Sequence, residues 1–153
     1  MCLYQTLRSI VNECYEMLAH MENVLSHHPQ RSFNKPSLEQ VLGTVHLIKE
    51  STLVFNIEPA SRMVSHMEET LNLVRTEILP LDQELLSTLM LCCDYLDELF
   101  SQYVLQNGYF LTEYWQAMEE SLIYRLWNCL NRKNQVVMTM AKFQTGSTVA
   151  FKR

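Results

Sequence analysis

The sequence predicts an all-α fold, an antiparallel four-helix up-down bundle carrying an additional fifth helix. Three observations point to it. Of 153 residues only 3 are Gly and 4 are Pro while 48% are hydrophobic, so few positions can break a helix. Apolar residues recur at intervals of three and four through five separate segments. Short connections join those segments, which favours antiparallel neighbours. A chain of this length is the size of one domain and can bury a core without staples.

The first helix is predicted over residues 3 to 27, where Leu3, Leu7, Ile10, Val11, Cys14, Met17, Leu18, Met21 and Leu25 keep the helical period. Pro29 and Pro36 interrupt the pattern. Ser37 and Gln40 then have the spacing of a reciprocal N-terminal cap, so a second helix is expected from Ser37 or Leu38. Its apolar face runs through Leu38, Val41, Leu42, Val45, Ile48 and Phe55, interrupted at Thr52, and it ends near Asn56. Pro59 suits the first turn of a third helix that buries Ala60, Met63, Val64, Met67, Leu71, Val74 and Ile78 before Pro80 stops it. Asp82 can cap a fourth, with the stripe Leu85, Leu86, Leu89, Met90, Cys93, Leu96, Leu99 and Phe100 continuing to about Leu105. Asn107-Gly108 signals a turn, and Thr112 can cap a fifth helix carrying Trp115, Met118, Leu122, Ile123, Leu126, Trp127 and Leu130. The bundle is expected to occupy residues 1–133, with residues 134–153 a C-terminal tail or linker. There Val136, Met138 and Met140 alternate, and helix continuation, a hairpin and an unstructured linker all stay open.

Composition excludes several function classes. A net charge of -5, from 12 Lys plus Arg against 17 Asp plus Glu, leaves no general basic face for nucleic acid. The five cysteines are odd in number and form no CxxC pair, so they read as reduced, core-type thiols suited to the cytoplasm. Arg8, Glu13 and Glu16 interrupt the N-terminal apolar pattern, so neither a signal peptide nor a membrane span is expected there. No metal site is expected, because the Glu-x-x-His pattern of metal-binding bundles does not occur. A conventional enzyme is disfavoured too: the chain has no nucleophile elbow and no glycine-rich phosphate loop.

One residue stands apart from this packing logic. His46 lies beside the apolar stripe of the second helix, with Lys49 at i+3 and Glu50 at i+4 on its own side. The stretch HLIKESTLVFNIEPASRMVSHMEETLNLVR, His46 to Arg75, resembles the histidine phosphotransfer family, most closely the N-terminal phosphotransfer domains of chemotaxis histidine kinases. The family pattern is His-x-x-Lys-Gly, then small residues, a Phe, a turn and a next helix carrying a glutamate. His46, Lys49, Phe55 and Glu68 fall on those positions without a gap, and Asp94-Tyr95-Leu96 also runs parallel to the family pattern.

The resemblance implies a five-helix phosphoryl carrier, a substrate of its kinase rather than a catalyst. His46 would be the phosphoacceptor, Glu68 would accept the other ring N–H and orient the imidazole, and Lys49 would offset phosphoryl charge. The implied partners are a histidine kinase domain and a response-regulator receiver domain in a two-component or chemotaxis-like phosphorelay, with no nucleic acid and no membrane. No cofactor is expected on this chain, since ATP and Mg²⁺ belong to the partners. Three residues depart from the pattern and are expected to modulate or obstruct transfer: Glu50 replaces the glycine, Leu53 is among bulky residues at small positions, and Ser65 replaces a second histidine. A second reading is a degenerate domain that docks a kinase or receiver without carrying phosphate. An unrelated helical interaction bundle would be favoured by a buried His46.

Overall fold

The five expected helices are present, and they position one another by sharing a single core. The computed structural model describes residues 3–27, 35–105 and 112–145, with side chains described for 4–27, 35–102 and 113–131. The helices are α1 (Leu3–His27), α2 (Lys35–Val54), α3 (Glu58–Arg75), α4 (Gln83–Leu105) and α5 (Thr112–Thr145). α1 packs on α4 and α2, α2 on α3, α3 on α4, and α5 on α4 and α3. α4 therefore has three neighbours, and its sequence accommodates them: Leu85, Leu86, Leu89, Cys92, Cys93, Tyr95, Leu96, Leu99 and Phe100 are all buried. Facing them are Leu7, Val11 and Leu18 from α1 and Met63, Met67 and Leu71 from α3. Each fully buried aliphatic side chain contributes roughly 1.5–3 kcal/mol relative to exposure.

Helix ends differ from expectation more than helix interiors do. α2 begins at Lys35, so Pro36 lies in its first turn and Ser37 is inside the helix instead of capping it. Its C-terminus closes through Asn56, which adopts a left-handed conformation with φ 55°. There the amides of Asn56 and Ile57 donate to the carbonyls of Leu53 (3.2 Å) and Thr52 (2.9 Å). This cap turns the chain, so Phe55 is 48% exposed and not part of the core, while Ile57, 1% exposed, takes the core position.

α3 ends the same way, at Arg75 and well before Pro80. Glu77 sits at φ 64°, and the amides of Glu77 and Ile78 donate to Val74 and Leu73, each at 3.0 Å. Ile78 accordingly faces solvent, and Leu79 and Leu81 enter the core instead. Asp82 caps α4 as expected, its Oδ1 accepting from the Leu85 amide at 2.9 Å.

Thr112 is the first residue of α5 and not its preceding cap. Trp127 is exposed and stacks on Tyr124, with ring centroids 6.2 Å apart, whereas Cys129 is buried. α5 crosses the expected boundary at residue 133 and stays helical to Thr145, so helix continuation holds over that part of the tail. The expected turn at Asn107-Gly108 and residues 146–153 lie outside the described residues. Among the described residues no helix is long and apolar enough to cross a membrane.

Two ion pairs tie helices far apart in sequence. Arg8 Nε donates to Asp97 Oδ1 at 2.9 Å, joining α1 to α4. Arg62 grips Glu119 with two bonds, Nε to Oε1 at 2.6 Å and Nη2 to Oε2 at 3.0 Å, joining α3 to α5. Glu119 is buried, and its bonding raises the Arg62 pKa above the usual arginine value. Nearby, Tyr95 meets Trp115 edge-on at 5.7 Å. The thiols of Cys14, Cys92, Cys93 and Cys129 are buried, and none of these four is joined in a disulfide. Burial pushes the Cys92 thiol up to about 12, and a hydrogen bond with Cys14, then burial, raises Cys93 well above its usual value.

Two stability outcomes are expected. Gly43 lies exposed inside α2, and a Cβ added there meets nothing within 4 Å. Gly43→Ala should therefore raise unfolding free energy by about 1 kcal/mol, read as a higher urea midpoint at unchanged slope. Arg62→Ala strands the buried Glu119 carboxylate and should lower stability by about 2 kcal/mol in the same titration.

Candidate functional site

The site is built where α2 meets α3. Val41, Val45, Ile48 and Thr52 form the buried face of α2, and the Thr52 hydroxyl satisfies itself on the Lys49 carbonyl at 2.9 Å. At about 100° per residue, His46 and Lys49 then fall on the edge of that face, one turn apart. On α3, Met63, Val64, Met67 and Leu71 are buried, which places Glu68 at the matching edge. The Asn56 cap and Pro59 in the first turn of α3 return the chain so that the two edges meet.

Glu68 uses both carboxylate oxygens. His46 Nδ1 lies 2.8 Å from Oε2, and Lys49 Nζ donates to Oε1 at 2.9 Å. An ionised carboxylate can only accept, so Nδ1 carries the proton and Nε2 of the neutral ring keeps its lone pair. The His46 side chain is 59% exposed, against 16% for Glu68. The ring is thus anchored on its inner nitrogen and open on the outer one. The Lys49 hydrogen bond, ahead of that from His46, holds the Glu68 carboxyl below its usual pKa against the opposing effect of burial.

The remaining expected site residues separate into two groups. Glu50, one turn after His46, places Oε1 at 3.7 Å from His46 Nε2, beyond hydrogen-bond distance. Leu53 is exposed at the C-terminal end of the same face, and Leu47, Val54 and Phe55 are exposed around it, forming an apolar rim. Ser65 is half-buried one turn before Glu68 and does not join the cluster. His66 is exposed, and its carbonyl accepts from Thr70 Oγ1 at 2.8 Å within α3.

Phe55, expected on the apolar face of α2, is exposed, and so is Leu47, which lies outside the predicted stripe. The asparagine turn was the available signal for Phe55, because a left-handed residue resets which side chain faces inward. The outer face of α2 also carries Gly43, one turn before His46, where the backbone has no side chain above it. A groove of about 610 Å³ between α4 and α5, floored by Leu91, Tyr95, Met118 and Leu122, does not include His46. Among the described residues no group of three or more His, Cys, Asp or Glu could hold a metal ion. No family model, curated protein or solved structure matches this chain.

The depressed Glu68 pKa gives a signed expectation. A carboxyl that titrates lower when folded contributes stability that is full above the ordinary carboxylate range and is lost as pH falls through its folded value. Glu68→Gln should therefore flatten the acid limb of the stability curve. Urea titrations from neutrality down to about pH 3 measure it, compared with wild type.

Proposed function

We propose that this chain is a histidine phosphotransfer protein, with His46 as the phosphoacceptor. The observation that supports this most directly is the double use of Glu68, which orients the His46 imidazole through Nδ1 and holds Lys49 beside it. Nε2 attacks the γ-phosphorus of ATP held on a histidine kinase, forming an N–P bond as the bond from that phosphorus to its bridging oxygen breaks and ADP leaves. The Nδ1 proton stays on the hydrogen bond to Glu68 throughout. In the onward step a receiver-domain aspartate oxygen attacks the same phosphorus and the N–P bond breaks. Lys49 offsets part of the added charge, about -1.5 to -2 for a phosphoryl group. The chain is a carrier and a substrate of its kinase, not an enzyme; ATP and Mg²⁺ enter on the partners.

The rest of the molecule fits this reading. α1 to α4 would form the antiparallel up-down bundle of a phosphotransfer domain, with α5 packed on α3 and α4. A reactive group on the outer face of a helix needs a macromolecular partner to enclose it, and the exposed Leu47, Leu53, Val54 and Phe55 offer apolar area for one. The proposed setting is a cytoplasmic two-component or chemotaxis-like phosphorelay. A second reading, a degenerate domain that docks a kinase or receiver without carrying phosphate, is favoured by the Glu50 carboxylate beside Nε2.

Incubation with a panel of histidine kinases and labelled ATP tests the choice. Acid-labile label is expected on the wild type, absent from His46→Gln and transferable to a receiver. Glu68→Gln should slow labelling by about tenfold or more, because the tautomer is no longer fixed. A wild type that binds kinase or receiver yet takes no label from any of them establishes the docking reading.

A further inference from the structure

Resting on the reading of His46 as phosphoacceptor, we propose that Glu50 determines partner specificity at this site: it fits a docking face that presents a lysine or arginine within an apolar surround. The charges facing His46 come from two helices. α3 supplies Glu68, and α2 supplies Lys49 and Glu50. Lys49 is held on Glu68 at 2.9 Å, so the cluster carries one surplus negative charge, and that charge lies on the side of Nε2, where phosphoryl transfer occurs.

The setting of Glu50 makes this charge consequential. Its neighbours along the helix face are His46 at i-4, Leu47 at i-3, Leu53 at i+3 and Val54 at i+4, all exposed. Glu50 is an anionic spot bordered by apolar side chains. In the free protein water screens it, since the side chain is 59% exposed. A partner covering the apolar rim displaces that water, and an unmatched carboxylate then costs binding energy while also repelling the dianionic phosphoryl group. A cation on the partner's face removes both penalties. A partner of the same shape with a neutral or acidic residue there is rejected, which is discrimination by a repulsive element.

A partner-free phosphoryl donor isolates the charge effect. Phosphoramidate brings an anionic phosphoryl group with no docking face; Nε2 attacks phosphorus, the N–P bond to His46 forms, and the donor's P–N bond breaks as ammonia leaves with a proton. Initial labelling rates of the full chain are compared for wild type, Glu50→Gln and Glu50→Lys, with His46→Gln as the site control, at low and high ionic strength. The lysine stands in for the cation a partner would bring. Expected at low salt is an order of Lys above Gln above wild type, with about threefold or more at each step, converging at high salt as screening removes the difference. Equal rates at low salt with label on His46 overturn the role of Glu50 and leave the phosphoacceptor reading standing. No label on His46 in any variant removes that reading, and this proposal with it.

Discussion

The Glu68 carboxylate is the group around which the rest of the site is arranged. A carboxylate this enclosed is costly unless its oxygens are matched, and two donors from a neighbouring helix match them. Lys49 keeps the charge in place by lowering the Glu68 pKa, and the charged carboxylate in turn accepts the hydrogen bond from His46 Nδ1. Each member therefore sets the state of another. The imidazole, although largely exposed, has one defined tautomer and one defined outward nitrogen, which an isolated surface histidine does not have.

That arrangement is a product of packing and capping more than of local preference. The α2–α3 junction consists of three residues, Phe55, Asn56 and Ile57, and the pair of cap hydrogen bonds at Asn56 fixes where α3 starts. Ile57 seals the junction from below, and Thr52, a buried polar residue on the apolar face, returns its hydroxyl to the carbonyl of Lys49. Core contacts at Val45, Ile48, Val64 and Met67 then set the distance across which Glu68 reaches. Among the described residues α5 packs on α3 and α4 and not on α2; it is tied to the early part of α3 by Arg62 and Glu119 and reinforces α3 without entering the site.

Periodicity made the helix interiors legible. The stripes of α1 and α4 follow from spacing alone, because a residue inside a regular helix is placed by its distance from its neighbours. Ends were not legible in the same way. At Asn56 and Glu77 the backbone enters the left-handed region, the phase is lost, and the next inward residue is Ile57 or Leu79 instead of Phe55 or Ile78. The grouping of His46 with Lys49 was readable from i,i+3 spacing, whereas adding Glu68 required a resemblance, since nothing in spacing says which residue of another helix will face them. Glu119 carried an unread signal: it falls between Trp115 and Leu122 on the apolar stripe of α5, where a buried charge implies a partner. Its identity, Arg62, is 57 positions away and is a fact of tertiary packing.

The buried thiols lend the bundle a built-in clock. Cys14 on α1 meets Cys93 on α4, with Cys92 next to it in sequence, and all three are buried and sterically closed while the helices stay packed. An alkylating reagent reaches the Cys14–Cys93 pair only when the α1–α4 seam separates. With reagent in excess the rate of modification becomes the rate of that separation, so the native chain times its own breathing without an added probe.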